Sequence, residues 1–134
     1  MTVNSFTTLS LSPPLVSFSV QQSARIRKLI EVCGGFVVNI LAAEQAELAR
    51  WFADRDRPTG ADSFTGVDTA DVPSTGGIRL AGTIGHFTCR TVQLIDAGDH
   101  TIVIGSVMDC ASRDRAPQLL FADGKFHALG HPPQ

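Results

Sequence analysis

Ile84-Gly85-His86-Phe87-Thr88-Cys89-Arg90-Thr91-Val92-Gln93-Leu94-Ile95 is followed by Ala97-Gly98-Asp99 and then by Thr101-Ile102-Val103-Ile104-Gly105-Ser106-Val107. From Ile78 onward the chain alternates with period two, the side-chain period of a half-buried strand. Two such runs around a short glycine-bearing turn predict a long antiparallel hairpin, with Ile102, Ile104 and Val107 divided between its faces. A second, shorter hairpin is predicted where Leu119 to Phe121 and Lys125 to Leu129 flank Asp123-Gly124, a strong two-residue turn signal.

Toward the N-terminus, Leu15-Val16-Ser17-Phe18-Ser19-Val20 is apolar, β-branched and aromatic and reads as a strand. The preceding Pro13-Pro14 suits a strand start, because proline cannot donate to a central ladder. Ser23 then opens a helical pattern as its predicted N-cap, with Ile26, Leu29, Ile30 and Cys33 on one face and Gly34-Gly35 as the stop. Phe36 to Leu41 is a compact apolar run, broken by Asn39, that predicts a buried strand. Glu44 to Phe52 predicts a second helix with Leu48, Trp51 and Phe52 as its packing face. Asp54 to Gly77 is rich in Asp, Arg, Thr, Gly and Pro and reads as a surface excursion anchored by Phe64-Thr65-Gly66-Val67. Long loops in compact domains are usually functional or mobile. Residues 1–134 therefore read as a single, mainly β domain: an antiparallel β-barrel with one or two covering helices.

With 134 residues, 43% of them hydrophobic and 18% charged, the chain supports one packed core without disulfide staples. Eleven basic against 13 acidic residues give a net charge of -2. That balance argues against a nucleic-acid domain that neutralises phosphates, and against a polybasic membrane-surface binder. No apolar run approaches the roughly 18–20 residues of a membrane-spanning helix. Met1 to Ser5 lacks the basic region and apolar core of a signal peptide. Cys33, Cys89 and Cys110 are far apart and odd in number, which leads us to expect three reduced thiols in a cytoplasmic protein. His86, His127 and His131 show no metal-ligand spacing and receive no role.

Three segments carry polar chemistry. Thr2-Val3-Asn4-Ser5-Phe6-Thr7-Thr8-Leu9-Ser10 is dense in small hydroxyls, which suit either a polar ring edge and phosphate or a solvated edge strand. Ser23 and Arg25 open a helix, whose unpaired N–H groups and positive dipole end suit a phosphate; the alternative is an ordinary cap with a solvated arginine. His100 follows Asp99 at the hairpin turn, where it either meets a ligand or faces water. No nucleophile elbow, dinucleotide-binding glycine fingerprint or phosphate-loop lysine is present in the sequence.

Taken together, these segments resemble the flavin reductase family with the FMN-binding split-barrel fold. The resemblance rests on five blocks in order: Met1 to Val16; Phe36-Val37-Val38-Asn39-Ile40-Leu41 after a Gly-Gly helix stop; Gln45, Leu48 and Phe52; Gly98-Asp99-His100-Thr101-Ile102-Val103-Ile104-Gly105; and Leu119-Leu120-Phe121 through Phe126-His127-Ala128-Leu129. It implies a homodimer that binds FMN or FAD, reduces it with NADH or NADPH, and supplies reduced flavin to a partner monooxygenase. By position, it implies that Thr2, Asn4, Ser5 and Thr7 contact the flavin ring and ribityl chain, with Ser10 and Ser12 continuing the loop. Ser23 and Arg25 fall at the flavin phosphate, Phe64 on the loop closing toward it, and His100, the catalytic candidate, beside the nicotinamide.

Two departures accompany the resemblance. Relatives begin earlier, by about 30 residues, roughly a short helix and a hairpin. The expectation from this is a misplaced start codon or a shortened family member. Relatives also often carry a basic residue where this chain has Ser63 beside Asp62, which weakens the phosphate site unless Arg25, Arg55 or Arg57 compensates. The competing functions are a flavin-holding protein without turnover, marked by tight flavin and no NADH oxidation, and an oxidase whose resident flavin reacts with an organic substrate.

Overall fold

The computed structural model describes residues 1–129, so His131 lies outside the described residues. Its strands are β1 (Thr7–Leu11), β2 (Pro14–Gln21), β3 (Gly35–Ile40), β4 (Thr69–Val72), β5 (Gly77–Leu80), β6 (Gly85–Ala97), β7 (His100–Ser112), β8 (Leu119–Ala122) and β9 (Lys125–Ala128). Helix α1 (Arg25–Cys33) joins β2 to β3, and α2 (Ala46–Ala53) follows β3 after a single 3-10 turn. One five-stranded antiparallel sheet runs β1-β2-β7-β6-β3, and β4–β5 and β8–β9 form separate hairpins. The expected mainly β, antiparallel architecture with covering helices is what forms.

The long hairpin is longer than the alternation predicts. β7 continues past Val107 to Ser112, and the register shifts between Thr88 and Cys89 and again between Thr91 and Gln93. Each irregularity adds local twist and breaks the strict period of two, which is why the sequence pattern fades before the strand does. The turn is Gly98-Asp99, with Gly98 at φ 60°. At the closing hairpin Asp123 and Gly124 take φ of 51° and 72°, the paired left-handed conformation that such a two-residue turn requires.

The core is Val16, Phe18, Val20, Ile30, Phe36, Cys89 and Val103. Phe18 meets Phe36 edge-on at 5.0 Å and 79°. Gly105 lies beneath Phe36, and a Cβ there would come within 2.5 Å of its ring. All three cysteines are free; Cys33 and Cys110 are exposed, whereas burial and the neighbouring Cys110 push the Cys89 thiol up to about 11. Cys89 is therefore an inert packing residue.

Asn39, the polar break in an apolar strand, is used as a rung. Its amide donates to the Ile78 carbonyl at 3.0 Å and its oxygen accepts from the Leu80 N–H at 2.9 Å, fixing β5 to β3. Two expected helix faces hold in part, with Ile30 and Phe52 buried as expected. In α1 only Ile30 is fully buried and Leu29 is 56% exposed; in α2 the buried residues are Ala49 and Phe52. Trp51 turns outward because its indole N–H donates to the Ser63 carbonyl at 2.7 Å, tethering the excursion that follows the helix. That excursion is also more ordered than expected, with a 3-10 turn over Gly60–Phe64 and the β4–β5 hairpin.

Candidate functional site

β2 ends at Gln21, which pairs with His100 at the start of β7. The next residue locks this corner. Gln22 donates from its side-chain amide to the carbonyls of Gly98 (3.0 Å) and His100 (3.4 Å), and from its backbone N–H to Asp99 O at 2.9 Å. Three hydrogen bonds therefore tie the junction from β2 to α1 to the turn bearing His100. His100 Nδ1 lies 2.7 Å from Asp99 Oδ1, and this hydrogen bond holds the Asp99 carboxyl below its ordinary value. With Asp99 ionised, the shared proton sits on Nδ1 and Nε2 is left to meet a ligand. Because the Asp99 pKa is lowered, the contact persists above the ordinary carboxylate range and is lost as pH falls through the depressed value.

A second set of contacts fixes α1 to the hairpin. Buried Thr101 donates to Asp96 Oδ1 at 2.8 Å and accepts from Arg27 Nε at 3.4 Å; Arg27 also pairs with Glu31 at 2.7 Å. Neither Gln22 nor the Arg27–Thr101–Asp96 group is visible from sequence. A glutamine after a strand and an arginine on a helix read as solvated surface, and no spacing rule links residues some 75 positions apart, such as Arg27 and Thr101.

The start of α1 overturns one expectation. The N-cap is Ala24, which has no side-chain acceptor, and Ser23 makes no capping hydrogen bond. The first turn holds no acid, and Arg25 occupies the first helical position. A cation there adds to the positive end of the helix dipole instead of offsetting it, a local cost of about 0.3–1 kcal/mol. Such a helix start suits an anion.

Two more arginines reach this corner from the segment after α2. Arg55 Nη2 donates to Gln21 Oε1 at 3.2 Å. Arg57 donates to the Asp54 carbonyl at 2.6 Å and lies over the Phe52 ring at 5.7 Å. Burial, then the like charge of Arg25, hold the Arg57 guanidinium below its ordinary value, with Asp54 opposing. Phe52 in turn packs on Phe64 at 5.2 Å, so Phe64 reaches the arginines through one ring. Ser63 cannot help them: it is 7% exposed and donates inward to Gly60 O at 2.7 Å.

The N-terminal hydroxyls divide. Thr2 is spent on α2, its Oγ1 donating to Ala49 O at 2.6 Å and its N–H to Phe52 O at 3.2 Å. Ser5 completes the sheet edge, accepting from Ser19 N at 2.9 Å and donating to Ser19 O at 3.3 Å. Asn4, between them, is exposed and has no side-chain partner among the described residues. Thr7 pairs with Ser17 and Ser10 with Leu15. At about 3.3 Å per residue, Ser10 lies roughly 20 Å along β2 from the Gln21 corner. The structure thus gathers His100, Ser23, Arg25 and Phe64 at one end, places Thr2, Asn4 and Ser5 alongside, and leaves Ser10 with Ser12 at the far end.

The flavin reductase like domain matches residues 1–130. The NADH-dependent FAD reductase of Streptomyces globisporus is 39% identical over 126 residues, 94% of this chain and 69% of that protein. The reductase subunit of a flavin-dependent monooxygenase from Rhodococcus jostii is 36% identical over 125 residues, 93% of this chain and 62% of that protein. Among solved structures, the Streptomyces globisporus NADH:FAD oxidoreductase superposes with a TM-score of 0.88 at 35% identity, covering 96% of this chain and 76% of that one. The flavin reductase component of a bacterial two-component tryptophan halogenase gives 0.90 at 33% identity, covering 97% and 81%. A match along nearly the whole chain, to sequences and structures alike, places it: this chain belongs to the flavin reductase like domain family.

Proposed function

We propose that this chain is an NAD(P)H-dependent flavin reductase that takes FMN or FAD as substrate and passes reduced flavin to a partner monooxygenase. The activities of its relatives support the reading, and one observation here carries it: an uncapped helix start bearing Arg25, locked through Gln22 to the turn bearing His100. An anion end and a hydrogen-bonding imidazole at one corner would suit a phosphorylated ring substrate. Reduced nicotinamide as hydride donor and flavin as acceptor would together supply the redox chemistry when bound.

What remains for the protein is to bind and orient. Arg25, with Ser23 and the first N–H groups of α1, holds the phosphate. Asn4 faces the ring edge, and Thr2 and Ser5, whose hydroxyl donors are committed, keep acceptor lone pairs beside it. Thr7 and Ser10 extend this polar edge along β1, and Phe64 closes the phosphate end. His100, fixed by Asp99, presents Nε2 to the nicotinamide and is not an obligatory base. The purified chain is expected to oxidise NADH or NADPH only when FMN or FAD is added. His100→Asn is expected to lower turnover more than flavin affinity. A folded protein that binds flavin without consuming nicotinamide sinks the catalytic reading.

The reading extends to a homodimer in the cytoplasm. Leu9 and Leu11 on edge strand β1 are 50% and 95% exposed, and Met108 on β7 is 46% exposed. A second copy covering these side chains removes the exposed edge from water. Light scattering should give twice the 14.3 kDa chain mass; a monomer at micromolar concentration overturns the dimer. Among the described residues no helix is long and apolar enough to cross a membrane.

A further inference from the structure

We propose that Arg25, Arg55 and Arg57 form a diphosphate clamp, so that this chain selects the flavin dinucleotide FAD over the mononucleotide FMN; the inference rests on the flavin-binding reading above. The starting observation is a meeting of cations: Arg55 reaches Gln21 at the end of β2, four residues before Arg25, and Arg57 follows Arg55 by two. Arg25 lies close enough to Arg57 to lower its pKa, yet neither forms an ion pair with a carboxylate among the described residues. Asp54 attracts Arg57, but one oxygen of its carboxylate already accepts the Asp56 N–H at 2.9 Å.

Each of the three is held by its own surroundings. Arg57 is pinned by the Asp54 carbonyl beneath it and the Phe52 ring under its face. Arg25 is fixed at the first position of α1, where the helix dipole already disfavours a cation. Arg55 is steered toward Gln21. Among the described residues none of the three forms an ion pair with a carboxylate, which leaves the group open to an anion from outside.

The distribution of the cations points to two phosphates. FMN and FAD carry similar total charge near neutrality, since a phosphate monoester approaches -2 and each phosphate of a diphosphate diester carries one charge. Total charge therefore does not choose between them. A monoester concentrates its charge on one phosphorus, whereas a diphosphate spreads it over two. Here the forks come from separate places: Arg25 from the helix, Arg55 from beside Gln21, Arg57 from above Phe52.

Arg57 adds a second discriminating contact. One face of its guanidinium is covered by Phe52, itself packed on Phe64. A purine on the opposite face completes a stack of ring, guanidinium and ring. FMN has no adenine to place there.

The test is binding, read by quenching of flavin fluorescence without nicotinamide, on the full chain. FAD is expected to bind at least about tenfold more tightly than FMN, with ADP displacing FAD far better than AMP does. Arg57→Gln should remove most of the FAD advantage while changing FMN affinity little. Arg57→Lys keeps the charge but not the plane, so it should retain FMN binding and still lose most of the preference. Equal wild-type affinities, an equal loss for both flavins in Arg57→Gln, or full preference in Arg57→Lys each overturn the clamp and leave the flavin reading intact. A folded chain that binds neither flavin overturns both.

Discussion

Arg25→Ala is expected to weaken flavin binding by about 10- to 150-fold, the loss of one charge-assisted phosphate contact worth roughly 1.5–3 kcal/mol, and at the same time to stabilise the flavin-free protein. The two effects have opposite signs for one reason. Without an anion, Arg25 stands at the positive end of α1 and against the charge of Arg57, with no acid in the first turn to offset either. Removing it relieves a dipole cost of about 0.3–1 kcal/mol. With a phosphate present, the same guanidinium is the charge-assisted donor that the phosphate loses. Arg25 is exposed, so solvent screens the unfavourable term in the free protein, and the expected gain in stability sits at the low end. A fluorescence titration and a thermal melt of the flavin-free variant read the two halves separately. Unchanged affinity for both FMN and FAD returns Arg25 to the status of a solvated helix arginine.

This sign reversal also explains what sequence reading reaches at this site and what it does not. Gly98-Asp99-His100 and the Asp123-Gly124 turn are legible because their backbone needs are local: a left-handed residue at a tight turn admits few residue types. Ser23 fails as a cap because capping depends on the φ and ψ of one residue. The N-cap falls one position later than its sequence signature, at Ala24, and the helix begins at Arg25. The bulges in β6 and β7 are invisible to a strict alternation, so the hairpin is read too short. Asn39 looks like a flaw in a buried strand, since the carbonyl and N–H it satisfies belong to Ile78 and Leu80.

The site shows the same division more sharply. Positions of Arg25 and His100 follow from segment order, but their joining through Gln22 does not. That join uses three hydrogen bonds from one residue to a turn about 76 positions away. The hydroxyl-rich N-terminal segment reads as uniformly available, yet the fold commits Thr2 to α2 and Ser5 to β2 and leaves Asn4 outward. Composition reports how many polar groups a segment has; only packing decides which of them the backbone consumes first.

Phe36→Ala is the complementary experiment, with the largest expected effect on the fold and little on the phosphate corner. The ring is 6% exposed, meets Phe18 edge-on and fills the space that Gly105 leaves open. Truncation is expected to cost about 3–5 kcal/mol, the transfer of the ring plus an unfilled cavity. That is a large share of the roughly 5–15 kcal/mol that holds a domain together. Gly105→Ala alone is expected to cost about 1–3 kcal/mol, because its methyl would meet the Phe36 ring at 2.5 Å. Combined, the two changes should cost less than their sum, since the new methyl enters the vacated space. Urea unfolding of the four proteins measures this coupling directly. Strict additivity would show that Gly105 is required for backbone reasons unrelated to Phe36. In the cold, where Phe36→Ala remains folded, its flavin affinity should stay near that of the parent, because Arg25 and Gln22 are held by β2, α1 and the hairpin turn and not by this ring pair.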